Sequence, residues 1–510
     1  MPLLISKNWK EPIFVRLKKI SITTILTFIS IFAINSVVFA STGSSDEELG
    51  TRLPIWSILP FVCMLLSIAI LPLVNGHWWE HNQAKISALW ALVFLIPFLI
   101  VFGVKEMMSG LVHSIILDYI PFIVLLFGLF VVTGGISLRG TLNGTPNVNI
   151  TILVIGTVLA SWVGTTGAGM LMIRPLLRAN KWRKSKTHIF VFFIFLICNI
   201  GGSLTPIGDP PLFLGFLRGV PFFWTMKLIL PMALNSIILL IAFYILDRRA
   251  YKKDMAAYPE SMAKAAAEKK EPLKIDGLHN VIFLAMIIGS VILSGILSKN
   301  PAFADQSTGL NKGITIMTIH GHGIVIPYIN FIRDTIILIA AFLSMKTTSR
   351  GIRMNNNFTW APIKEVAILF AGIFITMIPA LAILGARGSE LGLTRPAHFF
   401  WASGILSSFL DNAPTYLVFM TTSASLGATS GIATTMGTIA PDMLLAVSCG
   451  AVFMGANTYI GNAPNFMVRS IAEENEVKMP GFFGYIGWSM TFLIPLFILN
   501  TLLFFNPFVQ

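Results

Sequence analysis

The stretch Asn199-Ile-Gly-Gly-Ser-Leu-Thr-Pro-Ile-Gly-Asp-Pro-Pro211 interrupts an apolar run with glycines, prolines, hydroxyls and one acid. In a bilayer such a break strips backbone amides and carbonyls of their helical partners, which is tolerated only against protein or a wet cavity. The same break returns near the other end of the chain. Gly202-x-x-Thr205-x-Ile207-Gly208-Asp209-x-Pro211 reads again as Gly455-x-x-Thr458-x-Ile460-Gly461-Asn462-x-Pro464. Two interrupted apolar segments in corresponding positions imply a duplicated membrane protein with a site between its halves.

Composition agrees with that class. Of the 510 residues 55% are hydrophobic and 12% charged, and the mean hydropathy is +0.78, figures of a polytopic membrane protein. The net charge of +13 does not point to nucleic acid, because the basic residues fall between apolar runs, where they orient a chain in the bilayer. Cys63, Cys198 and Cys449 each sit in an apolar run, with neither metal-type spacing nor a disulfide framework.

Residues 1–54 read as a basic head followed by a signal-like or first transmembrane segment, Val38-Phe39-Ala40 resembling a cleavage site. Either fate leaves Ser41 outside the cytoplasm. A first repeat spans 55–246, with ordinary spans at 55–74, 86–104 and 115–136, each near the ~20 residues a crossing needs. It continues with a glycine-rich re-entrant hairpin over about 149–174, the broken helix over about 189–217, and a return span at 223–246. The loop 247–277 holds eight Lys or Arg and six acids and is expected to be cytoplasmic. A second repeat, 278–510, has spans at 278–297, 335–345 and 366–384, a hairpin over about 399–426, a broken helix over about 443–468 and a last span at 482–505. This threading leaves most of the 36 Lys and Arg on the cytoplasmic side.

Two further matches occur in the same order, Ser161 to Ala168 against Ser408 to Thr415 and Phe127-Gly-Leu-Phe130 against Ala371-Gly-Ile-Phe374. The expected fold is therefore all-α and polytopic, with two repeats of about five transmembrane helices and one re-entrant hairpin each. An odd number of crossings inverts the second repeat relative to the first. Inverted repeats with discontinuous helices are a secondary-transporter signature, and no nucleophile, metal cluster or channel filter competes with it.

Half-helix ends bind ions, amide ends favouring anions and carbonyl ends cations. Ser161, Thr165, Thr166, Thr205, Ser408, Thr415 and Thr458 can add hydroxyl oxygens, and Asn412, Asn457 and Asn462 amide oxygens. Asp209 and Asp411 are the two acids expected inside the membrane layer, where a charge costs about 2.5–3.5 kcal/mol. They are the Na⁺ candidates. The plainer reading of each is a helix cap, as Asp before Pro often is. Arg174 could reach an anionic substrate, but with Arg178 and Lys181 it reads first as a surface topology signal. His77-Trp-Trp-Glu-His81 has metal-like spacing, yet its tryptophans fit the interfacial belt, and His320-Gly-His322 is expected at an outside loop tip.

At these motifs the chain resembles the ion transporter superfamily of dicarboxylate and citrate carriers, arsenite permeases and NhaD-type sodium/proton antiporters. Ser407-Ser-Phe-Leu-Asp411-Asn412-Ala-Pro-Thr415 is similar to the Asp-Asn hairpin tip of the antiporters, and Gly201 to Pro211 to the family's broken helix. The resemblance covers roughly 55–505. It implies a homodimer in the bacterial inner membrane with an elevator-like motion, no cofactor, and Na⁺ and/or H⁺ as transported or coupling ion. One departure stands out: antiporters of this kind carry an acid-amide pair in the first hairpin too, and here Gly164 and Thr165 take those places. That Gly-Thr-Thr-Gly hairpin is similar to the superfamily's citrate-transporter group. Sodium/proton antiport is the leading expectation, and Na⁺- or H⁺-coupled uptake of citrate or a dicarboxylate the alternative.

Overall fold

The structure, a computed structural model, describes residues 46–260, 271–305, 311–319, 322–356 and 358–505. The signal-like head and His320 lie outside the described residues. The chain is mostly helical. Its helices, in order, are α1 (Asp46–Arg52), α2 (Leu59–Val112), α3 (Ile120–Thr133), α4 (Pro146–Val163), α5 (Thr165–Ala179), α6 (Thr187–Leu196), α7 (Pro210–Leu217), α8 (Ile229–Ala257) and α9 (Asn280–Leu297). There follow α10 (Tyr328–Thr347), α11 (Arg350–Asn355), α12 (Ala361–Thr376), α13 (Ile378–Arg387), α14 (Pro396–Phe409), α15 (Asn412–Ala424), α16 (Pro441–Met454), α17 (Ala463–Glu474) and α18 (Phe482–Phe504). Strands occur only as three small antiparallel pairs among the described residues.

Seven helical segments among the described residues are long and apolar enough to cross a membrane, or eight if the bent pair α12 and α13 is one span. The first, Ile55–Thr133, runs 79 residues, roughly 120 Å if straight, four times a bilayer's hydrocarbon. It is folded instead. The backbone leaves helical geometry at Asn75 and Gly103, and Trp90 Nε1 donates to Ser67 Oγ at 3.0 Å, a contact that a straight helix would place roughly 35 Å apart. Ser87 and Tyr119 donate to the adjacent carbonyls of Ile368 and Ala367 on α12. Three limbs therefore stand side by side, near the three runs expected from the sequence.

Two expected spans differ in extent. The short run at 335–345 is the apolar middle of α10, whose first turns hold Arg333, 1% exposed, paired with Asp334 at 2.8 Å. Neutralising each other there, the two charges extend the helix beyond its apolar stretch. The run at 366–384 is bent by 44° between α12 and α13, where Pro379 has no amide to continue the first helix.

The charged segment between the halves has regular structure at both of its described ends, 247–260 and 271–277. α8 continues past Asp247 to Ala257, because Arg183 Nη1 meets Asp247 Oδ1 at 2.5 Å and Arg183 Nε meets Asp254 Oδ2 at 3.5 Å, all three side chains being buried. His188 Nε2 and Asn149 Nδ2 complete the shell of Asp247 at 2.8 and 3.0 Å. Farther on, β2 (Lys274–Asp276) pairs with β1 (Ser137–Arg139), tied by Arg139 to Asp276.

The centre of the molecule is the broken segment. In Thr187–Leu204 the apolar window is 89% buried, against 33% for α10 and 28% for α18. α6 is apolar on every side and is enclosed by protein on every side, as such a helix must be, while α10 and α18 present apolar side chains outward. With several apolar helices of spanning length, the chain is a multi-pass membrane protein.

Because Arg183 neutralises two buried carboxylates, Arg183→Ala is expected to lower stability by about 3–5 kcal/mol, read as a lowered detergent-unfolding midpoint. Arg183→Lys should recover only part of the loss, since a single ammonium cannot reach both acids as the guanidinium fork does.

Candidate functional site

The first hairpin turns at Gly164, whose φ of 81° lies where a Cβ is strained. The turn docks directly on the first break. Thr165 N donates to Gly208 O at 2.8 Å, Ser161 Oγ donates to Gly201 O at 2.5 Å, and Thr205 Oγ1 donates to Ser161 O. The second hairpin is pinned to its break in the same manner. Thr458 Oγ1 donates to Ser408 O and Asn457 Nδ2 to Ser408 Oγ at 2.9 Å. In both breaks the threonine hydroxyl then accepts from the isoleucine amide two residues on, Ile207 at 3.2 Å and Ile460 at 3.1 Å. Ser161, Thr205, Ser408 and Thr458 thus hold hairpin to break, and Thr415 Oγ1 bonds Asp411 O within the second tip.

At the meeting point lies Asp209, 1% exposed. Its Oδ1 accepts from Thr165 Oγ1 at 2.9 Å and Asn462 Nδ2 at 3.1 Å, and its Oδ2 from Asn412 Nδ2 at 2.7 Å. Each partner comes from a different element: first tip, second break, second tip. Although Asp209 stands at the N-cap position of α7, its side chain makes no capping bond. Two amide groups that can only donate from nitrogen and a hydroxyl that can also donate form a set that suits a carboxylate.

All four residues sit at the amino ends of helices, those of α5, α7, α15 and α17, where the exposed amides favour negative charge. Charge-assisted bonds worth about 1.5–3 kcal/mol each and helix ends worth about 0.3–1 kcal/mol each are together of the size of the several kcal/mol needed to bury a carboxylate. No cation partner is recorded for Asp209 among the described residues. The other deeply buried acids have one: Asp118, in the π-turn before α3, pairs with Arg218 at the end of α7, and Asp247 and Asp254 pair with Arg183. Asp118 and its partner Arg218 are 100 residues apart in the chain.

Asp411 behaves differently. Its Oδ1 caps α15 by accepting from Ala413 N at 3.0 Å, and the residue lies on the wall of a cavity of about 1140 Å³. The plain capping role thus belongs to Asp411 and not to Asp209. Three buried amide oxygens near the breaks, those of Asn199, Asn412 and Asn457, accept no hydrogen bond. Two asparagines overlooked in the sequence join the breaks to each other, Asn199 Nδ2 donating to Asn465 Oδ1 at 2.8 Å. Asn465 Nδ2 in turn donates to the carbonyls of Gly455 and Thr458.

The cavity begins at Thr165, Thr166, Gly208, Asp411 and Asn462 and follows one face of α5 past Met170 to Arg174, Arg178 and Lys181. Thr166 and Arg178 are about 18 Å apart along that helix. Lys186 also lines it, with Glu474 and Glu476 on the facing wall. Arg174, expected at the surface with Arg178 and Lys181, lines the cavity beside them. It is half-buried on the cavity wall, and its Nη1 is buried without a hydrogen-bond partner.

Asp209→Asn should destabilise the fold by about 1–3 kcal/mol, because its amide would face at least one donor with another donor. A detergent melt in which this variant matches or exceeds the wild type would instead mean that Asp209 is protonated in the fold.

No curated protein matches the chain. The family described as "Putative citrate transport" matches it over residues 50–505, and the chain belongs to that family of secondary transporters.

Proposed function

We propose that the protein carries citrate or a related di- or tricarboxylate across the bacterial inner membrane, coupled to Na⁺ or H⁺. The observation that carries this reading is Arg174: an unpartnered guanidinium nitrogen on the wall of a cavity that ends at four helix amino termini. Guanidinium forks match carboxylate geometry, and Arg178, Lys181 and Lys186 would concentrate an anion at the mouth. A substrate carboxylate near Thr166 would share the amide ends that already favour charge on Asp209.

The coupling cation would draw its ligands from the same arrangement. The amide oxygens of Asn412 and Asn457 are acceptors without donors, and hard cations take oxygen ligands. Matching tips and breaks in the two halves support a pair of inverted repeats, each adding one hairpin tip and one half-broken helix to the site. By the charge of its rim the cavity opens to the cytoplasm. The working unit is a homodimer in lipid.

Sodium/proton antiport is the second reading, and Asp411 favours it: a carboxyl group on the cavity wall with one oxygen occupied by capping. It does not account for the arginine.

In proteoliposomes the wild type is expected to accumulate labelled citrate or a dicarboxylate when a Na⁺ or H⁺ gradient is imposed. Arg174→Gln should lower that uptake at least tenfold with little change in the melting point. Na⁺-triggered proton flux without uptake of any carboxylate would replace the proposal with antiport.

A further inference from the structure

Between the first two limbs of α2 the backbone leaves the helix at Asn75, and the Asn75 side chain restarts it by accepting from Trp78 N at 3.0 Å. The turn that follows carries His77, Glu80 and His81, whose spacing puts all three on one helix face. One potential ligand atom from each lies within 4.8 Å of the others. All three residues are exposed, while Trp79 between them is buried. Core packing explains the buried Trp79, but not the convergence of two imidazoles and a carboxylate.

The ring orientation adds a second observation. His81 Nδ1 is 2.8 Å from the carbonyl oxygen of His77. A carbonyl only accepts, so Nδ1 carries the proton and Nε2 keeps a free lone pair. A backbone acceptor that fixes the tautomer in this way is the usual outer support of a metal-binding histidine. The two rings stand edge to face, 4.7 Å between centroids.

We propose that His77, Glu80 and His81 form a site for a divalent transition metal, with Zn²⁺ the cation the donors fit best. Two imidazoles and a carboxylate are Zn²⁺ ligands, with water in the fourth position. Mg²⁺ and Ca²⁺ prefer oxygen ligands alone. Ligand atoms around tetrahedral zinc stand roughly 3.3 Å apart, and exposed side chains can close the remaining gap by rotamer changes. Glu80, Trp79 and Gly76 also line the cavity that holds Thr165 and Arg174. A bound cation would therefore neutralise an acid on the cavity wall and clamp the first turn after the kink. The site does not depend on what the protein transports.

The test uses the full-length chain in detergent, free of any affinity tag, titrated with Zn²⁺ alone by calorimetry. The wild type should bind with a site that the double variant His77→Ala/His81→Ala loses and that Glu80→Gln weakens about tenfold. Co²⁺ in place of Zn²⁺ should give the visible absorption of a four-coordinate ion, absent from the double variant. Melting points without metal should be unchanged, since all three side chains are exposed. Wild-type binding absent up to millimolar Zn²⁺, or the same affinity and stoichiometry in the double variant, would overturn the proposal.

Discussion

A carboxyl group buried without a cation partner among the described residues is the constraint on which the rest of this structure depends. Asp209 is accepted in the interior because Thr165, Asn412 and Asn462 all donate to it, and because four helices begin around it. Side-chain donors could project from a continuous helix, but helix amide ends in the interior could not come from one. A helix that crosses without interruption keeps its amide ends at the membrane surface, so amide ends in the interior require the breaks at 197–209 and 455–462 and the hairpin turns at Gly164 and Asp411.

The breaks make further demands. Their freed carbonyls and amides must find partners in an apolar medium, and the threonines, serines and asparagines of the two motifs supply them. Around this polar centre the chain places α6, an apolar helix buried from His188 to Leu196, and keeps the segments that face outward on the periphery. Several buried charges away from the centre are paired: Arg218 with Asp118, Arg183 with Asp247 and Asp254, Arg333 with Asp334. Arg174 lies near Glu474 but keeps one buried guanidinium nitrogen without a hydrogen-bond partner beside the cavity, a costly arrangement that the proposed anionic substrate would relieve.

Much of this was legible in the sequence because the two motifs repeat in order. Thr165 and Asn412 hold corresponding positions in the two hairpin motifs, and both bond to Asp209. What the sequence left hidden depends on partners distant in the chain. Asp118 reads as an ordinary span-end acid until Arg218 stands beside it, and Asn199 and Asn465 are amides in apolar runs until the breaks bring them together. Arg174 was assigned to the surface because a basic cluster ending a helix has the same pattern whether that face meets water or a cavity. The bend between α12 and α13 was missed because hydropathy counts Pro379 as one residue in an apolar run, while the backbone counts it as a missing donor. The segment 55–133 shows the reverse, since hydropathy separated limbs that local geometry nearly joins.

The account's central claim is that the transported species sits where the two tips and the two breaks meet. Thiol labelling tests this most directly. In a background with the half-buried Cys63 replaced and the buried Cys198 and Cys449 retained, Thr166→Cys should react with a thiol reagent reaching the cytoplasmic face. Citrate or its transported analogue should slow that reaction several-fold, whereas a cysteine at exposed Lys253 should label at the same rate with or without it. Equal labelling at position 166 in saturating substrate, by a variant that still transports, would contradict the claim.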